Sequence, residues 1–132
     1  MTFSSLIIYF KWKIKLKFTE SIKKNSHFRE IYQRGISYGN SYLVMYVLEN
    51  GTSRNRIGIS VSKKVGNSVI RHRVTRLIRE SYRLNENLFK KGIDIVIVAR
   101  VNIRGRSFAE VNSAVLHLGR LHHILDNGKD GC

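Results

Sequence analysis

The chain has 132 residues, 42% of them hydrophobic, with 24 lysines and arginines against 9 acids and a formal net charge of +15. That length fits one domain with a core of its own. The charge self-repels unless a polyanion neutralises it, which puts nucleic acid first among partners and an anionic membrane second. The single cysteine, Cys132, and the lack of any CxxC exclude an internal disulfide and argue against structural zinc; the compartment expected is the reducing cytoplasm.

In chain order, residues 6–10 form an apolar run, followed by Lys11, Lys13, Lys15 and Lys17. A membrane span takes about 20 apolar residues. A secretory signal carries its charge before the apolar run, not after it. Residues 1–15 are therefore expected to be a disordered extension, with a weak interfacial anchor as the other reading. Ser26 can cap a short helix and Gly35 can end it in the left-handed conformation. Between them Phe28, Ile31 and Tyr32 share a helical face. Residues 42–48 are rich in β-branched and aromatic side chains and predict a strand, and Asn50-Gly51 a turn. Residues 56–62 alternate: Ile57, Ile59 and Val61 point one way, and Gly58, Ser60 and Ser62 the other, as an open floor of small side chains.

Lys63-Lys64-Val65-Gly66-Asn67 then leads into a helix of about four turns. Ile70, Val74, Leu77, Ile78 and Ser81 lie on its inner side, with His72, Arg76, Arg79 and Arg83 opposite. Gly92 closes the connection, and Ile93–Ala99 predicts a central buried strand interrupted by Asp94. Ser107-x-x-Glu110 is a capping box opening a last helix whose apolar side carries Val111, Ala114, Val115, Leu118 and Leu125. The predicted order is αβββαβα, a two-layer α/β sandwich on a four-stranded sheet. Residues 16–125 make one domain and 126–132 a disordered tail.

The basic residues Lys63, Lys64, Arg71, Arg73, Arg76 and Arg79 occur with no acid among them. Like charges this dense cost stability in an isolated helix. A run of this kind usually marks a solvated face, but the turn at Gly66-Asn67 offers backbone N–H groups at a helix N-terminus, which favours phosphate. The arginines continue that surface, which suits backbone phosphates and not sequence reading.

The stretch 63–80, with Ser62-Lys63-Lys64-Val65-Gly66-Asn67 before the triplet Arg71-His72-Arg73 and Arg76-Leu77-Ile78-Arg79 after it, resembles the signature of the bacterial ribonuclease P protein family. The resemblance runs from about Phe18 to His123 and includes Lys23-Lys24-Asn25 and Gly35. It implies an α/β sandwich with a left-handed βαβ crossover at the motif helix, against the general right-handed rule. It also implies a protein that binds a catalytic RNA, with magnesium held mainly by that RNA and the substrate, and that binds the 5′ leader of precursor tRNA. Neither a membrane nor an obligate protein partner is expected. Two positions depart from the family pattern: His72 stands for the usual Asn and Thr75 for a frequent Lys. An imidazole still donates to phosphate or stacks on a base.

The resemblance assigns RNA-subunit binding to Lys63, Lys64, Asn67, Arg71, His72, Arg73, Arg76 and Arg79, and a leader cleft to Phe28, Tyr32, Tyr46 and Lys63. Single-stranded RNA bound without sequence preference calls for aromatic platforms and positive charge; aromatics at helical spacing are otherwise core. Catalysis by the protein alone is not expected. The nine acids are scattered, no Asp-x-Asp or His-Glu-x-x-His occurs, His122 and His123 are adjacent and so point apart, and His117 has no carboxylate at i+3 or i+4. An RNA-binding module of ribosomal or RNA-chaperone type shares the charge and remains the alternative.

Overall fold

The computed structural model describes residues 16–126. Five strands and three α-helices alternate along them: β1 (Thr19–Ser21), α1 (Asn25–Arg34), β2 (Ile36–Gly39), β3 (Leu43–Glu49), β4 (Asn55–Ser60), α2 (Ser68–Asn85), β5 (Ile93–Ala99) and α3 (Phe108–Leu121). The sheet order is β1-β4-β5-β3-β2. β5 is central, parallel to β4 and antiparallel to β3, and β1 runs parallel to β4 at one edge. The apolar run of β5 thus lies where both faces and both edges are covered, and six of its seven residues are buried.

The side-chain alternation of β5 separates two cores. Ile93, Ile95 and Ile97, with Leu43, Met45 and Ile57, pack under Val74 and Ile78 of α2 and Val111, Val115 and Leu118 of α3. Val96 faces the other way and packs with Ile22, just past β1, and with Ile31 of α1. Helices therefore lie on both faces. This corrects the two-layer sandwich to three layers, and the four-stranded sheet to five strands. The strand missing from the predicted order is β1, whose three residues are too short for any period to show.

Three local expectations change with it. Helix α1 begins at Asn25 behind Lys24, with no side-chain cap, so Ser26 lies inside it. Gly35 is extended (φ −75°, ψ 156°), since the chain passes straight into β2. Glycine is required there for a different reason: a Cβ would stand 2.5 Å from the Ile31 carbonyl oxygen. Leu125 lies beyond α3, where it pairs with Phe89 in an isolated bridge. The Ser107–Glu110 capping box forms as predicted, and its hydrogen bonds hold the exposed Glu110 carboxyl below its ordinary pKa. The extension expected over residues 1–15 falls outside the described residues, as does most of the expected tail, 127–132.

A polar cluster ties β1 to the end of α2. The buried carboxylate of Glu86 accepts from the Lys17 and Phe18 backbone N–H groups at 2.8 and 3.0 Å and from Thr19 Oγ1 at 2.7 Å. With that proton committed, Tyr82 donates its hydroxyl to Thr19 Oγ1 at 2.8 Å, and burial raises the phenol pKa. Asn55 continues the chain, donating to the Tyr82 hydroxyl and the Lys90 carbonyl and accepting from the Ile93 N–H. Every buried polar atom here depends on another. Glu86→Ala strands three donors at once and is expected to lower stability by about 3 kcal/mol or more, read from urea unfolding; Glu86→Gln, which keeps one acceptor, recovers part of the loss. A change under about 1 kcal/mol would show that β1 is held by its strand pairing alone.

Candidate functional site

The sheet face under α1 is only partly covered. Register places Val44, Tyr46 and Leu48 of β3, Asp94, Val96 and Val98 of β5, and Arg56, Gly58 and Ser60 of β4 on this face. At the end where the strands start, Arg56 donates to Asp94 through Nε and Nη2 at 2.8 and 3.0 Å, and Asn50 donates to the same carboxylate. The buried Asp94 noted in the sequence is thus a partnered structural residue. In the middle, α1 settles onto the sheet: Ile31 is fully buried, and Phe28 lies directly on Gly58, where a Cβ would be 2.6 Å from the ring. The floor read as open at Gly58 is therefore occupied. It opens only beyond, at Ser60, Val98 and Val44, which are partly exposed.

Three candidate side chains gather at the border of the covered and open regions. Tyr32 is 38% exposed and meets the half-buried Tyr46 edge-on, 4.9 Å between ring centroids. Phe28 stands 6.3 Å from Tyr32, a turn of helix earlier. Phe28 and Tyr46 pack against the small core under α1, whereas Tyr32 is exposed. Beyond the open end, Lys63 is exposed three residues past Ser60. Arg100, not singled out in the sequence, reaches the same end: its Nη1 is 3.7 Å from where a Cβ of Gly39 would sit, and Gly39 pairs with Val44 on this face. The signal available was the alternation of β5, which carries Arg100 to the face of Val96 and Val98.

The second group surrounds α2 on the far side of the sheet. The loop before it is pinned by the buried Val65, which holds Lys63 and Lys64 outward. Asn67 caps the helix, its Oδ1 accepting from the Ile70 N–H at 3.0 Å, so its role in the structure is positional. A helical step of 100° distributes the rest on three sides. His72 and Arg76 stand on the exposed ridge. Arg71 and Arg79 share the flank nearer β1: Arg71 buries its Nε without a protein partner, its carbonyl accepts from Thr75 Oγ1, and Arg79 reaches Ser21 Oγ at 3.5 Å. Arg73 occupies the opposite flank and donates to the Arg106 carbonyl at 3.3 Å, beside α3. Arg83, expected on that ridge, is largely covered instead and pairs with Glu80. The two arginines of the triplet therefore address different directions, and a single flat ligand surface cannot engage both equally.

The histidines of α3 are structural. His122 is the helix C-cap, and its Nε2 lies 2.8 Å from the Met45 carbonyl. Its ring packs edge-on against Tyr38, and burial lowers its pKa. His117 sits 3.2 Å from the Asn40 amide. Among the described residues no three His, Cys, Asp or Glu side chains gather to hold a metal ion, and no helix is long and apolar enough to cross a membrane.

Comparison with known proteins gives one consistent result. The family model described as Ribonuclease P matches residues 16–122. The ribonuclease P protein component of Lachnoclostridium phytofermentans is 54% identical over 111 residues, covering 84% of this chain and 96% of that protein. Among solved structures, the RNase P protein of Staphylococcus aureus superposes with a TM-score of 0.75 at 32% identity, covering 80% of this chain and 97% of that one. That of Thermotoga maritima gives 0.71 at 31%, covering 76% and 96%.

The contact that sets the height of α1 is open to a direct test. Gly58→Ala forces the Phe28 ring off the sheet and is expected to destabilise by about 1–3 kcal/mol, the usual range for overpacking. In the Phe28→Ala background the same change should be nearly neutral. A double-mutant cycle by urea unfolding measures the coupling, and additive effects would place the strain elsewhere.

Proposed function

We infer how this chain acts from one premise: it belongs to the bacterial ribonuclease P protein family. It is the protein component of that ribonucleoprotein, which matures the 5′ end of tRNA, and its partner is the ribonuclease P RNA. A ribosomal or chaperone-type role gives way to this one.

We propose that the α2 side binds the RNA subunit and the α1 side binds the 5′ leader of precursor tRNA. Lys63, Lys64, Arg71, His72, Arg73, Arg76 and Arg79 supply cations and donors for backbone phosphates, while Asn67 fixes the start of their helix. Because the triplet splits across both flanks of α2, it grips a groove or junction whose two walls approach from either side. Phosphate contacts of this kind position without reading sequence. The leader reading rests on one observation: a partly exposed aromatic pair, Tyr32 and Tyr46, borders a strip of small side chains that ends near Lys63 and Arg100. Successive bases stack on aromatics whatever their identity. Phe28 acts mainly by seating α1. We further propose the left-handed sense for the β4–α2–β5 crossover, residues 16–125 as the working domain, and the cytoplasm as its compartment.

The described side chains do not fit a resident metal site, so on this reading magnesium belongs to the RNA and the substrate. The chain's contribution is to hold the leader against that RNA and to neutralise phosphates where the two meet.

Two experiments test the assignment. Tyr32→Ala and Tyr46→Ala should each weaken precursor tRNA binding by the holoenzyme roughly tenfold, given about 1–3 kcal/mol per stacked base, and leave mature tRNA unaffected. Equal weakening of both tRNAs with a lower melting temperature would make them core residues only. Arg71→Ala and Arg73→Ala should each weaken binding to the RNA subunit and flatten its log–log salt dependence by about 0.7–0.9; an unchanged slope at either position removes that arginine from the interface.

A further inference from the structure

A second basic site lies at the other end of α2, outside both the motif and the cleft. A cavity of about 580 Å³ opens there, lined among others by Lys17, Phe18, Phe89, Lys90, Lys91 and Asp126. Three lysines against one carboxylate give it a positive balance. Its walls are fixed by backbone. Phe89 is buried and bridges to Leu125; the Lys90 N–H donates to the Ile124 carbonyl at 2.7 Å, and the Asp126 N–H to the Leu88 carbonyl. The Lys17 N–H is held by Glu86. Lys91 Nζ stands over the Phe18 ring, 5.0 Å from its centroid, which braces the ammonium at the rim. Helix α2 has 18 residues and is about 27 Å long; Lys63 and Lys64 precede its start, and Phe89, Lys90 and Lys91 follow its end.

We propose that this cavity is a second phosphate-backbone site for RNA, engaging a segment of the RNA subunit separate from the one gripped at the start of α2. Two features favour RNA backbone over a small anion. The family's partner is an RNA, a continuous run of phosphates. The cations of the lining are lysines, which act as point charges on phosphate without the fork geometry that fixes a single carboxylate or phosphate. Asp126 on the rim limits affinity by repelling phosphate. The consequence is a two-point attachment: the rigid helix sets a fixed distance between two RNA segments, so the protein selects RNA that is already folded with that spacing.

This proposal rests on the assignment of the RNA subunit as partner, and the test separates the two. The full-length variant Lys17→Gln/Lys90→Gln/Lys91→Gln, checked for an unchanged melting temperature, is titrated with ribonuclease P RNA over a range of salt. The binding slope should fall by about 2–3, at roughly 0.7–0.9 per phosphate contact. Hydroxyl-radical protection should vanish from one RNA segment and persist in another, with the complementary loss in Arg73→Ala. Asp126→Asn should tighten binding and deepen protection in the segment the lysine variant loses. An unchanged slope, a uniform weakening of all protections, or no gain from Asp126→Asn overturns the second site while leaving the α2 assignment intact. Failure of the unmodified chain to bind the RNA overturns the assignment beneath both.

Discussion

The open side of this protein depends on one close approach, that of the Phe28 ring to the backbone of Gly58. Without a Cβ at 58 the ring comes close against the backbone, which lets Ile31 reach full burial beside Val96. Helix α1 then sits low and covers only the middle of the face. Its next turn carries Tyr32 out to the border, edge-on to Tyr46. A larger residue at 58 would lift the helix, separate the two tyrosines and expose Ile31. The aromatic pair is thus a product of packing one helical turn away.

The two faces of the sheet divide stability and recognition unequally. The α2–α3 side holds most of the buried apolar side chains and the polar cluster around Glu86. The α1 side has a small core, partly exposed at its margin. Cations, by contrast, occur on both sides and at both ends of α2. With a formal charge of +15 and few acids to pair with, much of the surface gains from an RNA counterpart what it lacks from internal ion pairs. Among the described residues, the ion pairs Arg34–Glu30 and Arg106–Glu110 lie on the surface, where each contributes little, whereas Arg56–Asp94 and Arg83–Glu80 are largely covered.

Periodicity carried most of this architecture. Helix α2, the buried β5 and the capping box of α3 each depend on patterns local enough to read, and the basic stretch with its flanks identified the family. What escaped the sequence was non-local. Strand β1 depends on partners far along the chain: it pairs with β4, and Glu86, more than 60 residues away, accepts from the Lys17 and Phe18 N–H groups. Gly35 resembled a left-handed helix end, yet it is required by the Ile31 carbonyl and the strand that follows. Gly58 read as part of an open floor because nothing in residues 56–62 indicates that a ring from α1 will cover it. Equal spacing along α2 concealed a division: Arg71 and Arg73 seem to form one motif, but two residues turn a helix by about 200°, so their side chains leave on opposite flanks. Arg100 was missed because it lies just past the end of β5, although the alternation of that strand carries it to the face of Val96 and Val98.

The central position of β5 also dictates the order in which the chain can assemble. Both β3 and β4 take their main pairing from β5, and β1 pairs only with β4. As the chain leaves the ribosome, β1 to β4 and the whole of α2 therefore emerge before the strand that joins them. Contacts so distant in sequence close slowly. Through that interval the arginines of α2 are already synthesised while the helix lacks the sheet that buries its inner side. Like charges this dense oppose helix formation until that side is buried, so α2 gains its stability late, when β5 completes the sheet beneath it.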